Sequence, residues 1–272
     1  MPPSYVWGAV LRFLLTPRWL GLLVAVLVVG GVCLQLGQWQ LSRYVERQNS
    51  NSTVRANLAA DPVPVEEILD ETSQPSPGDQ WRRVQATGTY DVANSMFVLY
   101  RTRDRQPGVD VVVPLVTESG TGLVVDRGWV QAPANGNAVP TAPSPPAGEV
   151  TVTGWVRIDA EGASSDVAES TGTMRAISSR EIEQSLPYDV YDGFIELTSE
   201  VPGLTPSPAK AEPPDLGSGP HFFYGLQWFF FALLALAFWF YFAWSEWKEK
   251  QKSPAGGDGK ESGTVLAPQA QR

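Results

Sequence analysis

Two stretches of this 272-residue chain carry no charge: Trp19–Ser42 and Phe222–Ser245, each 24 residues long. A bilayer core of ~30 Å needs about 20 apolar residues at about 1.5 Å of helical rise each, so both predict membrane-crossing helices. Between them the period changes. Trp81-Arg-Arg-Val-Gln-Ala-Thr-Gly-Thr-Tyr90 alternates, with Val84, Ala86, Gly88 and Tyr90 on one face, the repeat of a half-buried strand. Met96–Tyr100, Val109–Val116, Gly122–Trp129 and Val150–Val156 are short and rich in β-branched or aromatic residues. Gln106-Pro-Gly108 and Ser119-Gly-Thr-Gly122 predict turns between them. Two short helices are expected. Val65–Leu69 follows Asp61-Pro62, and Arg180–Leu186 follows Ser178-x-x-Glu181, a capping-box spacing. The expected fold class is two transmembrane helices flanking a mainly β domain (α+β, an antiparallel sheet or small barrel).

Proline marks the irregular parts. Residues 132–148 hold five prolines in 17 positions and read as an extended, exposed loop. Residues 201–220 hold six in 20, which predicts a stiff connector into the second apolar run. From Ser253 the chain is Gly-rich and polar, the composition of a disordered tail. The expected organisation is an N-terminal segment 1–18, a first span 19–42, a domain 43–220, a second span 221–245 and a tail 246–272.

The first run is too long for a signal-peptide core of ~7–15 residues and is followed by Gln35–Arg43, with no small-residue cleavage site, so it reads as an anchor. Arg12 and Arg18 before it balance Arg43 and Arg47 after it. Lys248, Lys250 and Lys252 follow the second run closely, against Lys210 shortly before it. That excess predicts a cytoplasmic C-terminus. Two spans then place the N-terminus inside as well, with the central domain outside the inner (cell) membrane, or in the intermembrane space of a mitochondrion.

Charge and reactive residues narrow the function. Residues 43–220 contain 13 basic and 25 acidic side chains, which argues against nucleic acid and against lying flat on anionic lipid. Cys33 is the only cysteine, so disulfides and thiol pairs are excluded. The region has one lysine and no histidine, and His221 lies just beyond it. No Ser-His-Asp, Cys-His or zinc set can be assembled. Glu66-Glu67 and Asp70-Glu71 read as solvated edges. The expectation is that the chain is not an enzyme.

His221 is the most informative polar residue. Gly217-Ser-Gly-Pro220 places it near a helix N-terminus. Tyr224, Gly225 and Trp228 follow at three, four and seven positions, on its face. Glycine beneath an imidazole would leave room for a flat macrocycle walled by Tyr224 and Trp228, an arrangement that suits haem with His221 on the iron. Aromatic residues also gather at membrane interfaces, where His221 would merely meet headgroups, and spacing alone favours this second reading. On the first run Gly30, Cys33 and Gly37 share one face and predict a close helix–helix seam. Gln35, Gln38, Gln40 and Arg43 form its polar end.

Several motifs in order resemble one family. Leu36-Gly-Gln-Trp-Gln-Leu-Ser-Arg43 is similar to its first signature. Trp81-Arg-Arg-Val84 with Gly88, Pro107-Gly108 through Val113-Pro-Leu115, and Val124-Val-Asp-Arg-Gly-Trp-Val130 resemble the middle ones. His221-x-x-Tyr224-Gly-x-Gln227-Trp228 resembles the last. Together they resemble the surfeit locus protein one family, membrane-anchored assembly factors for haem–copper cytochrome c oxidase, from Leu36 to about Trp244. The chain departs from the family's usual residues at Pro220 and Gly225. The resemblance implies an assembly factor that binds haem a transiently and passes it to, or stabilises, the oxidase's catalytic subunit. His221 and Tyr224 take the haem-associated positions, with Trp228 beside them. Arg127 and Trp129, with Gln38 and Arg43, become a candidate partner surface; the alternative is a strand end closed by Asp126–Arg127 pairing above a buried Trp129. Implied partners are the catalytic subunit, the wider respiratory supercomplex, the haem a synthesis machinery and membrane lipid. Two other classes stay open: a lasting accessory subunit without chemistry of its own, and an extracytoplasmic sensor, against which the short tail counts.

Overall fold

The structure, a computed structural model, describes residues 14–133, 140–162, 167–168 and 171–252. Arg12, the middle of the first Pro-rich loop and the tail from Ser253 lie outside the described residues. The described residues form two compact units, those up to 46 with those from 218 onward, and those from 47 to 217.

The first unit is a helix pair. Helix α1 runs over Pro17–Ala59, 43 residues, and helix α3 over His221–Lys252, 32 residues. Both are long and apolar enough to cross a membrane. They pack antiparallel: the Trp19 and Trp239 rings lie 6.1 Å apart, and those of Tyr44 and Phe222 5.6 Å apart. Between these ends glycine sets the spacing. A Cβ on Gly37 would sit 2.9 Å from the Phe229 ring, and one on Gly225 3.1 Å from Leu41. Cys33 is buried in the same seam. Gly30, expected there too, faces open space. Helix α1 continues past its apolar run to Ala59, just ahead of Asp61-Pro62, where a proline disfavours helix in the residue before it.

The second unit is mainly β. Its strands are β1 Val63–Pro64, β2 Arg83–Tyr90, β3 Met96–Arg103, β4 Gln106–Thr117, β5 Gly122–Gln131, β6 Glu149–Arg157, β7 Thr173–Met174 and β8 Val190–Val201. They form one sheet in the order β1-β2-β6-β8-β5-β4-β3-β7, and β2 also pairs with β4. The five strands β2, β6, β8, β5 and β4 therefore close on themselves. The small barrel is not wholly antiparallel, because β5 and β8 run parallel. Alternation fills its interior with Val84, Ala86, Val113, Leu115, Leu123 and Leu197. The intervening Val112, Val124 and Phe194 face a second cluster with Ile177 and Ile182. Ile182 belongs to helix α2, Ser179–Glu183, whose N-terminus is capped by the Ser178 side chain accepting from Glu181 N. The other expected helix is a 3₁₀ turn, Val65–Glu67, with Val65 in the barrel core.

Three local expectations change. Gln106-Pro-Gly108 is strand, and the β3–β4 turn is Asp104-Arg105, with φ 50° and 63°. The 132–148 loop is not simply exposed, since Pro145 and Pro146 are buried. Nor is 201–220 a mere connector. Ala209 pairs with Trp129, and the Leu216 and Gly217 carbonyls accept hydrogen bonds from Asn51 on the polar extension of α1.

Candidate functional site

His221 opens helix α3 in the helix pair. Its Nδ1 lies 3.0 Å from Gln40 Oε1 on α1. The Tyr224 backbone N–H donates to Pro220 O, which fixes the first turn beneath the imidazole. The expected gap at Gly225 is not free: Leu41 fills it, so glycine there serves helix approach rather than a macrocycle. Tyr224 is 48% exposed, and Trp228 packs edge-on against Phe231 at 5.9 Å. Gln38 and Arg43 are exposed on α1, and Arg43 pairs with Glu46 at 2.9 Å.

Arg127, expected at a partner surface, is instead completely buried in the β domain. It occupies a core-facing position of β5 and donates from Nη2 to Glu200 Oε1 at 3.1 Å and from Nη1 to Pro143 O at 3.0 Å. Its guanidinium also lies 5.3 Å from the centre of the Tyr90 ring, and Tyr90 OH donates to Glu200 Oε2 at 3.1 Å. Lys210 approaches the same carboxylate at 3.5 Å. Burial opposes ionisation of Glu200, but the hydrogen bond and charge of Arg127, with Lys210 and Tyr90, hold it below the ordinary carboxylate value. Burial and the neighbouring Glu200 push the Tyr90 hydroxyl upward. The alternative pairing, Asp126 with Arg127, does not form either: Asp126 Oδ1 accepts from Gly128 N at 2.9 Å.

Trp129 is half-buried and lies over Gly108, where a Cβ would come within 2.1 Å of its Nε1. With Trp81 and Tyr100 it walls a cavity of about 340 Å³ that also reaches Asp110, Asp126 and Glu196. Burial, then the charges of Asp110 and Glu196, raises Asp126 well above its ordinary value. Burial raises Asp110 against the pull of its ion pair with Arg101. It raises Glu196 against Arg157, 3.4 Å away.

Comparison with known proteins now bears on these sites. The model of the SURF1 family matches residues 27–233, a stretch that takes in the whole β domain and part of each flanking helix. The chain belongs to the SURF1 family. Among its relatives are uncharacterized SURF1-like proteins of Mycobacterium bovis and Mycobacterium tuberculosis, each 30% identical over 258 residues, covering 90% of this chain and 91% of the relative. A SURF1-like protein of Rickettsia felis is 29% identical over 109 residues, covering 39% of this chain and 45% of its own length.

In this SURF1 chain the sequence-selected residues fall into separate places. His221, Tyr224, Trp228, Gln38 and Arg43 belong to the helix pair, whereas Arg127 and Trp129 belong to the β domain. The contact missed in the sequence is Gln40–His221. Gln40 stood within the polar end of the first run, but nothing in its spacing tied it to a residue 181 positions away. Glu200 was missed as well, because its strand was not foreseen.

Proposed function

We propose that this SURF1-family protein is a non-catalytic, membrane-anchored assembly factor for haem–copper cytochrome c oxidase, with haem a as transient cargo at His221. Both termini lie in the cytoplasm and the β domain outside the inner (cell) membrane. The observation that carries the reading is the imidazole at the start of α3, engaged by Gln40 through one ring nitrogen. The other nitrogen is available to a metal. Haem iron takes a single axial histidine, so one imidazole suffices where zinc needs three or four protein ligands. Among the described residues no group of three or more His, Cys, Asp and Glu side chains is placed to hold a metal ion, and the donor set therefore fits haem better than a bare ion.

The protein's part is to hold and to hand over. His221 supplies the ligand, and the exposed Phe223 and Tyr224 beside it supply aromatic surface for a flat, apolar ring. The partners are the oxidase's catalytic subunit, the haem a synthesis machinery and membrane lipid, with Trp129, Gln38 and Arg43 as contact residues. The exposed aromatic length of α3, including Phe230, Phe238 and Phe242, favours a second reading. In it the helices pack lastingly into the oxidase or a respiratory supercomplex as an accessory subunit.

The deciding experiment is the visible spectrum of the detergent-purified protein made with haem a available, beside His221→Ala. A stoichiometric Soret band lost in the variant supports the cargo reading. No band in either, with oxidase still co-purifying in stoichiometric amount, overturns it in favour of the accessory subunit.

A further inference from the structure

We infer that Gln40 is a positioning residue that fixes the tautomer of His221, keeping the proton on Nδ1 and the lone pair on Nε2. An amide oxygen can only accept a hydrogen bond. Gln40 Oε1 at 3.0 Å from Nδ1 therefore requires that Nδ1 carry the hydrogen, and a neutral imidazole then has its ligating lone pair on Nε2. The contact crosses between two helices whose approach is set by Gly37 and Gly225, so the glutamine is held at a fixed height against the ring. The seam thus does chemical as well as structural service: the close helix approach brings an acceptor to the nitrogen that must not bind the metal. Outer partners of this kind orient a ligating histidine and raise its basicity. The use of Nε2 for haem iron rests on the reading proposed above, but the tautomer itself does not.

His221 is the only histidine in the chain, so ¹⁵N-histidine labelling gives the signals of a single ring. The full-length protein in lipid nanodiscs, without haem, is measured at neutral pH beside Gln40→Leu and Gln40→Glu. The expected result is a pyrrole-type Nδ1 and a pyridine-type Nε2 in the unaltered protein. Gln40→Leu loses this preference, and Gln40→Glu, which keeps an acceptor, retains it. Addition of haem a should then show roughly 10- to 100-fold weaker binding to Gln40→Leu. A proton found on Nε2 in the unaltered protein, or a ring unchanged by Gln40→Leu, overturns the inference. If that happens while a Soret band is still lost in His221→Ala, the haem reading survives and only the role of Gln40 falls. If Gln40 governs the tautomer but no variant binds haem, the haem reading falls and the role of Gln40 stands.

Discussion

Leu27, Val28 and Phe240 of the helix pair are 57%, 60% and 63% exposed, whereas Val84, Leu115 and Leu197 of the β domain have no exposed surface. The two regions are built from similar apolar side chains and face them in opposite directions. In water, leaving such side chains uncovered costs about 25 cal/mol for each Å², and so long an apolar surface is foreign to soluble monomers. The helices are consistent instead with a lipid surround, where their backbone groups are satisfied within each helix. Polar groups follow the same contrast. At one end of the helix pair Gln40 meets His221 in a side-chain hydrogen bond, 3.0 Å apart. The β domain buries full charges, Arg127 and Glu200, and pairs them with each other and with Tyr90, Pro143 and Lys210, although Arg127 Nε is left without a hydrogen-bond partner.

The sharpest way to break this contrast is to remove one of the buried charges. Arg127→Ala leaves Glu200 without its main partner, and losing half of a buried pair costs about 3–5 kcal/mol. Urea unfolding of the β domain, followed by tryptophan fluorescence, should show that loss, and a change under ~1 kcal/mol would mean that Lys210 and Tyr90 satisfy Glu200 alone. Replacing both partners, as Arg127→Met with Glu200→Gln, should recover most of the stability. Core truncation comes next. Leu197→Ala opens a cavity among fully buried side chains and should cost about 2–5 kcal/mol. Leu27→Ala, on the exposed side of α1, should stay within about 0.5 kcal/mol. Equal losses from the two would erase the distinction between a core and a lipid-facing surface.

How far the sequence reveals this arrangement depends on whether the deciding interaction is local. Val84, Ala86, Gly88 and Tyr90 alternate within one strand, and all four are buried as their period requires. The Ser178 cap is equally local. The β3–β4 turn was misplaced because its left-handed residues are Asp104 and Arg105 rather than the Asn-Gly that such a turn favours. Pro107-Gly108 nearby looked like the stronger signal. Gly108 has a different cause, the Trp129 ring laid across it from β5. Strand β8 was hidden by Asp192-Gly193, a turn-like dipeptide near its start. There Gly193 takes φ 117° and its N–H donates to Ser179 Oγ, so the strand passes through an irregular step. The candidate site was legible only through His221 itself. Its partner Gln40 and the burial of Arg127 are products of tertiary packing, which no spacing along the chain encodes.

The helix seam offers a smaller and more local test. Gly37→Leu forces a side chain into the Phe229 ring and should cost about 1–3 kcal/mol of helix association. Gly30→Leu, directed into open space, should cost little. Cross-linking between Tyr44→Cys and Phe222→Cys, in a Cys33→Ser background, reports the approach of the helices, because the two replaced rings are neighbours at 5.6 Å. Cross-linking that falls with Gly37→Leu and holds with Gly30→Leu places the glycine requirement in one half of the apolar run. The same yield in both would remove the seam as the source of helix spacing, and with it the fixed height of Gln40 against His221.

The smallest effect expected is a gain, and it concerns acidity in the β domain. Asp126, Asp110 and Glu196 all have folded-state pKa values raised by burial. A carboxyl group that holds its proton more tightly when folded stabilises the fold at low pH. That contribution is lost as pH rises from the ordinary carboxylate value through the raised one. Glu200 and Asp91, held below the ordinary value against burial by their hydrogen-bond partners, work in the opposite direction. Asp70, lowered to about 2 by hydrogen bonds from Thr72 and Ser73, does likewise. Their contribution is present above the ordinary value and lost as pH falls. Asp126→Asn keeps an oxygen to accept from Gly128 N and cannot ionise. The variant should therefore match the unaltered protein near pH 4 and exceed it at pH 8, with urea midpoints at the two pH values as the measure. A gain of equal size at both would mean that packing, and not the buried charge, limits the stability of this wall of the cavity. A loss at pH 8 would mean that Asp126 is ionised there and held by Arg101, in which case the β domain relies on a second buried ion cluster beside Arg127–Glu200.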